Sequence, residues 1–240
     1  MIEKKKEKKK KSALRNVRLM ERDRDVLFLL DKLGYASVAE IMILCGFSGN
    51  FSCRRRLSLL SELGLIKIDK YEGKNIYTNS SAGYAEIERN NAKVLERNQG
   101  TRHQLYVATV IAYLHKNENI PLHKIKSDRE LRASFESLKG AKKPHIPDIV
   151  AEDNGVYAFE VELTSKTIER LKRNMQANAQ RYKYQIWVVP QTRPNLRENI
   201  KKVAKELILD NYVQVIELEQ ITDYVHAIAY PEKKGENKKC

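Results

Sequence analysis

Residues 37–79 read SVAEIMILCGFSGNFSCRRRLSLLSELGLIKIDKYEGKNIYTN, and their punctuation decides the fold of the first half of the chain. Ser37 and Glu40 form a capping box, in which each side chain satisfies the other residue's free backbone N–H. It opens a helix from Val38 to about Leu44, which Gly46 closes. Asn50 or Ser52 caps a second helix that runs to Leu63 and stops at Gly64. Leu65 to Tyr71 then alternates as a strand, Glu72 to Asn75 makes a turn, and Ile76 to Thr78 returns. Upstream, Val26, Leu27, Leu30 and Leu33 share one stripe of a helix from Arg22 that ends at Gly34. Downstream, another helix begins near Ser81 and runs past Ile87.

Three helices followed by a two-stranded hairpin describe a winged helix-turn-helix. At about 100° per residue, the third helix turns Leu57, Leu60 and Leu63 to one side and Arg54, Arg55 and Ser58 to the other. Arginine donates two parallel hydrogen bonds to a guanine edge or a phosphate, which suits a helix lying in the major groove. Arg56 lies nearer the apolar side and is expected to reach a phosphate or an acid. Lys70 and Lys74, at the hairpin, are placed to touch the backbone or minor groove.

The charge balance agrees. With 45 Lys and Arg against 31 Asp and Glu, the 240-residue chain carries +14. Residues 1–11 hold +5 of this and residues 231–240 hold +2, so a net +7 remains on the body. A basic body favours a polyanionic partner. The hydrophobic share of 42% is enough for a packed core. No apolar run approaches the roughly 18 residues of a membrane span. Cys45, Cys53 and Cys240 are an odd count without a C-x-x-C, so neither a disulfide framework nor structural zinc is expected. The expected setting is the cytoplasm, away from membranes.

From residue 105 the grammar changes. Residues 88–104 are polar, and 105–117 form an amphipathic helix. Ile125 lies in a short strand. Asp148 to Glu152 and Val156 to Leu163 are strands joined by a turn at Asp153-Asn-Gly155. Ser165 is expected to cap a helix to about Tyr182, followed by a strand Tyr184–Val189, a helix Asn195–Leu209 and a strand Tyr212–Leu218. Strands separated by helices of this length mean a sheet covered by helices.

The chemistry-bearing residues of this half are Pro147-Asp148 and Glu160-Val-Glu162. Strand alternation puts Glu160 and Glu162 on one face, with Tyr157, Phe159, Val161 and Leu163 on the other. If Asp148 joins them, three carboxylates converge, a ligand type that suits Mg²⁺ or Mn²⁺. The alternative is that all three are solvated strand residues. His103, His115, His123, His145 and His226 lack metal-ligand spacing, and His145 is read as a loop histidine. No phosphate-binding glycine motif occurs.

The pattern resembles the PD-(D/E)xK nuclease superfamily over about residues 120–220. The match is Pro147, Asp148 and Glu160, and the resemblance implies that Asp148 and Glu160 would hold the metal. At the lysine position of E-x-K stands Glu162, which puts catalysis in doubt; Lys166 is the candidate replacement. Glu130 corresponds to an acid that some members carry on an early helix. Over about residues 15–190 the whole chain resembles the replication-relaxation family of plasmids and integrative or conjugative elements. The residues that carry this are Arg22-Asp-Arg-Asp25, Leu63-Gly-Leu-Ile66, Tyr77, Pro147-Asp148 and Glu160-Val-Glu162.

The resemblance implies a two-domain α+β protein. It has a basic arm over 1–14, a winged helix-turn-helix over 15–90, a linker over 91–104, a nuclease-like α/β domain over 105–230 and a basic tail over 231–240. The implied role is a double-stranded-DNA-binding accessory of plasmid replication, mobilisation or their control, with a degenerate nuclease-like domain and no cofactor. A homodimer and replication or mobilisation proteins are the protein partners such a role implies. Two alternatives stay open. One is a Mg²⁺-dependent endonuclease using Asp148, Glu160, Glu162 and Lys166. The other is a transcriptional regulator whose C-terminal domain senses a ligand or dimerises.

Overall fold

The computed structural model describes residues 18–90, 92–136 and 145–231. The basic arm over 1–14 and the tail beyond residue 231 lie outside the described residues. The chain forms two compact units that divide between Arg97 and Asn98.

The first unit begins with α1 (Glu21–Leu33), whose Val26, Leu27, Leu30 and Leu33 are buried as the stripe requires. Gly34 ends it at φ +79°, a left-handed value that glycine adopts without a Cβ penalty. A two-residue strand β1 (Ala36–Ser37) leads into α2 (Val38–Leu44). Its capping box is formed: Ser37 N–H donates to Glu40 Oε2 at 2.8 Å, and Ser37 Oγ accepts from Ala39 N–H at 3.2 Å.

Next comes α3 (Asn50–Glu62), which starts after Gly49 with no side-chain cap, so neither Asn50 nor Ser52 serves in that role. The hairpin is β2 (Ile66–Tyr71) and β3 (Lys74–Asn79), joined at Glu72 and Gly73, both with positive φ. Two such residues make the tight turn whose twist matches a hairpin. The sheet order is β1-β3-β2, all antiparallel. A short α4 (Ser81–Glu86), capped by Ser80 Oγ, follows and stops at Glu86 rather than continuing past Ile87.

The second unit is a five-stranded mixed sheet flanked by helices. Its first helix, α5 (Thr101–Lys116), starts four residues earlier than its apolar pattern suggests, within the predicted linker. The strands are β4 (Ile125–Ser127), β5 (Ile149–Asp153), β6 (Gly155–Val161), β7 (Tyr184–Val189) and β8 (Val213–Glu217), in that spatial order. The β4-β5-β6 pairs are antiparallel, whereas β6-β7-β8 are parallel. Each parallel connection crosses through a helix: α7 (Ile168–Ala179) and α8 (Pro194–Glu206). Two further helices complete the unit: α6 (Asp128–Glu136), which carries Glu130 on an early helix as the resemblance implies, and α9 (Leu218–Ala229), for which the sequence carries no expectation.

The sheet is covered on both faces. Leu171, Met175, Leu196, Ile200 and Val203 of α7 and α8 pack on Trp187 and Val189. The opposite face, with Phe159, Ile186 and Ile216, lies under α5 and α9. Glu160 and Glu162 are buried on the α7 side, so the alternative of solvated strand carboxylates does not hold for them.

One close approach in the first unit is testable. A Cβ at Gly83 would lie 2.1 Å from the Leu65 carbonyl oxygen. That oxygen is already held by the Ser80 N–H at 3.0 Å and the Ser80 hydroxyl at 2.9 Å, so it cannot retreat. Gly83→Ala should therefore destabilise the protein by about 1–3 kcal/mol, as overpacking does. Thermal unfolding followed by circular dichroism reads this as a lowered midpoint.

Candidate functional site

The sequence proposes two sites, one in each unit. In the first, α3 buries Cys53, Leu57 and Leu60 and leaves Arg54, Arg55 and Ser58 exposed. Arg54 Nε donates to Asn50 Oδ1 at 2.5 Å, one turn back. Arg56 takes a different path. Its guanidinium makes a two-pronged ion pair with Asp23 of α1, and its side chain is only 17% exposed while that of Asp23 is fully buried. The Asp23 bonds, working against partial burial, raise the guanidinium pKa further. Of the two partners expected for Arg56, it takes the acid.

Asp23 Oδ2 also accepts the Met20 N–H at 2.7 Å, so one carboxylate caps α1 and anchors α3. Lys70 and Lys74 are exposed on the hairpin, Lys74 as the first residue of β3 rather than within the turn. Residue-level reading missed Phe51, which sits on the outward stripe with 81% of its surface exposed. Extending the helical arithmetic one turn back from Arg54 and Arg55 would have found it, because 51, 54, 55 and 58 follow the i, i+3, i+4, i+7 rule.

In the second unit the three carboxylates do gather at the end of β5 and β6. One residue beyond the Ile149–Phe159 pair, Asp148 comes level with Glu160. Their fields reach Glu162: burial pushes its carboxyl above the usual range, the Lys166 ammonium pulls against this, and Asp148 and Glu160 add to the rise. Each acid has its own partner. Asp148 Oδ2 accepts the Val161 N–H at 2.8 Å and lies 3.1 Å from His103 Nε2. Glu160 Oε1 lies 2.6 Å from His145 Nε2 and accepts Asn178 Nδ2–H at 2.9 Å. Glu162 is ion-paired with Lys166.

Lys166 stands in the loop before α7, not at its start, because Thr167 rather than Ser165 is the cap. Glu130 accepts the Ser127 N–H at 2.9 Å and closes the start of α6. His103, His145 and Asn178 come from segments far apart in sequence, and no local pattern marks them.

A divalent cation needs several free carboxylate lone pairs directed at one point. Here Asp148 Oδ2, Glu160 Oε1 and the Glu162 carboxylate are each engaged by separate donors. Among the described residues, no group of three or more His, Cys, Asp or Glu is set to hold a metal ion. On the far face of the same sheet lies a cavity of about 350 Å³. Its walls include Val110, Leu114, Phe159 and Ile216, with Glu118 and Asp153 as the charged lining.

The pairing gives His103 a defined pH signature. Burial lowers its pKa, but the Asp148 hydrogen bond and charge, aided by Asp128 and the Val161 carbonyl, raise it above 6.5. The folded state then holds the proton more tightly than the unfolded state. The stabilisation is complete below the unfolded value and disappears as pH rises through the folded one. The thermal midpoint difference between wild type and His103→Gln should be largest near about pH 6 and shrink as pH rises past the ordinary imidazole value. A difference that stays constant with pH would show that the ring is held by packing alone. No family model, curated protein or solved structure matches the chain.

Proposed function

We propose that the chain is a double-stranded-DNA-binding accessory protein of the replication-relaxation type. Its first unit acts as a winged helix-turn-helix, and its second is a PD-(D/E)xK-like domain that has lost catalysis. The observation that carries this reading is the sorting of three consecutive arginines: Arg56 is tied inward to Asp23, while Arg54 and Arg55 are exposed opposite the buried stripe. The order helix, short strand, two helices and hairpin supports it, with Lys70 and Lys74 exposed on the hairpin as a wing would have them. The net charge of +14 favours the same partner. The family resemblance adds the setting, a mobile genetic element, where replication or mobilisation proteins would be further partners.

Loss of catalysis is supported by the donors on each carboxylate. Lys166 neutralises Glu162, and Glu162 stands where a water-activating lysine would be needed. A second reading, a regulator whose C-terminal unit senses a ligand, is favoured by the cavity beside Phe159. Its volume of about 350 Å³ falls in the range of small-molecule pockets.

Arg54→Ala combined with Arg55→Ala should weaken binding to a specific duplex by about 2–6 kcal/mol if both contact bases, with an unchanged circular dichroism spectrum. Unchanged affinity in a gel shift would remove α3 as the reader. Deleting residues 1–11 should weaken binding on all sequences alike and flatten the salt dependence. The log–log slope falls by roughly 0.9 for each phosphate no longer neutralised. Supercoiled plasmid incubated with Mg²⁺ or Mn²⁺ should stay intact. Nicking that disappears in both Asp148→Ala and Glu160→Ala would establish the endonuclease instead.

A further inference from the structure

Phe51 is the most exposed aromatic ring among the described residues, at 81%. The fold does not use it. The buried stripe of α3 is complete with Cys53, Leu57 and Leu60, and Phe51 points away from them. A single exposed apolar residue is ordinary on a protein surface. This one, however, stands on the same line as Arg54, Arg55 and Ser58, in the first turn of the helix assigned to the groove. The Arg54 side chain is steered by Asn50, its neighbour on that turn. The outward surface therefore combines one apolar tip with two guanidiniums and a hydroxyl.

The floor of the major groove offers a matching set. Guanine presents two acceptors for arginine, and the apolar group displayed there is the C5-methyl of thymine. We propose that Phe51 is a specificity-determining residue that reads a thymine methyl beside the guanines read by Arg54 and Arg55. This inference rests on the DNA-binding reading above. Spacing follows from geometry. Three or four residues of helix advance about 4.5–6 Å, and stacked bases repeat every roughly 3.4 Å. The thymine therefore lies one or two base pairs from a contacted guanine.

The test starts with the full-length chain and a pool of random duplexes, from which bound sequences are selected. In the selected duplex, each thymine is replaced in turn by deoxyuridine, which lacks only the C5-methyl. Affinity is read by fluorescence anisotropy. At one thymine, within two base pairs of a guanine, the wild-type protein should lose about 3–10-fold, the value of one buried methyl. Phe51→Ala should bind the thymine and uracil duplexes equally, and Phe51→Leu should keep part of the difference. Suppose wild type ignores every replacement while Arg54→Ala with Arg55→Ala still weakens binding. The DNA-binding reading then stands and the role of Phe51 falls. An equal loss by Phe51→Ala on both duplexes overturns it too, because the ring then packs without reading the methyl. If no duplex is selected and the arginine variants behave as wild type, both readings fall together.

Discussion

The ion pair between Asp23 and Arg56 sets what the first unit presents to its surroundings. It ties α3 to α1 at a single rotation, because the guanidinium must meet a fully buried carboxylate. Once Arg56 is fixed inward, helical geometry leaves Arg54 and Arg55 no choice but to face out, with Phe51 and Ser58 in line. Such a pair contributes less to net stability than its geometry suggests, since both charges lose water on burial. Its effect lies in orientation: any other rotation of α3 would leave an unpaired charge in the core, at a cost of about 3–5 kcal/mol. The same carboxylate caps the start of α1, so helix entry and helix docking depend on one side chain.

The second unit solves a harsher electrostatic problem. Three carboxylates meet near one strand end, two of them under a helix layer, where like charges repel and water is scarce. Each is answered by a donor from a different segment: His103 from α5, His145 from the loop before β5, Asn178 from α7 and Lys166 from the loop after β6. The carboxylates thereby tie the sheet's covering layer to the end of β6.

The mixed sheet explains how the carboxylates meet and why they are buried. Its antiparallel half brings Asp148 level with Glu160, while its parallel half requires crossover helices, which bury the carboxylate face. The tyrosines Tyr157, Tyr184 and Tyr212 fall side by side where the strands begin, at the other end from the carboxylates, with the first two rings stacked at 5.1 Å. The chemistry-bearing residues and the aromatic row are thereby kept at opposite ends of the sheet.

Much of the fold is written locally. The capping box at Ser37 and Glu40, the glycines at 34 and 64 and the leucine stripe of α3 each act within one or two helical turns, so the sequence alone determined the elements and the exposed arginine face. It also determined the hairpin at Asp153 to Gly155 and the alternation of β6. It did not determine that Gly49 rather than Asn50 precedes α3, because a cap depends on backbone torsions as well as on side-chain type. It gave no sign of α9. Above all, the partners of Asp23, Asp148 and Glu160 come from residues 33, 45 and 18 positions away. Pairings over such distances leave no periodic trace, because they arise only when separate elements pack. The sequence therefore supplied the acids and the arginines, and only tertiary packing decided which of their charges are paired inside the protein and which face outward.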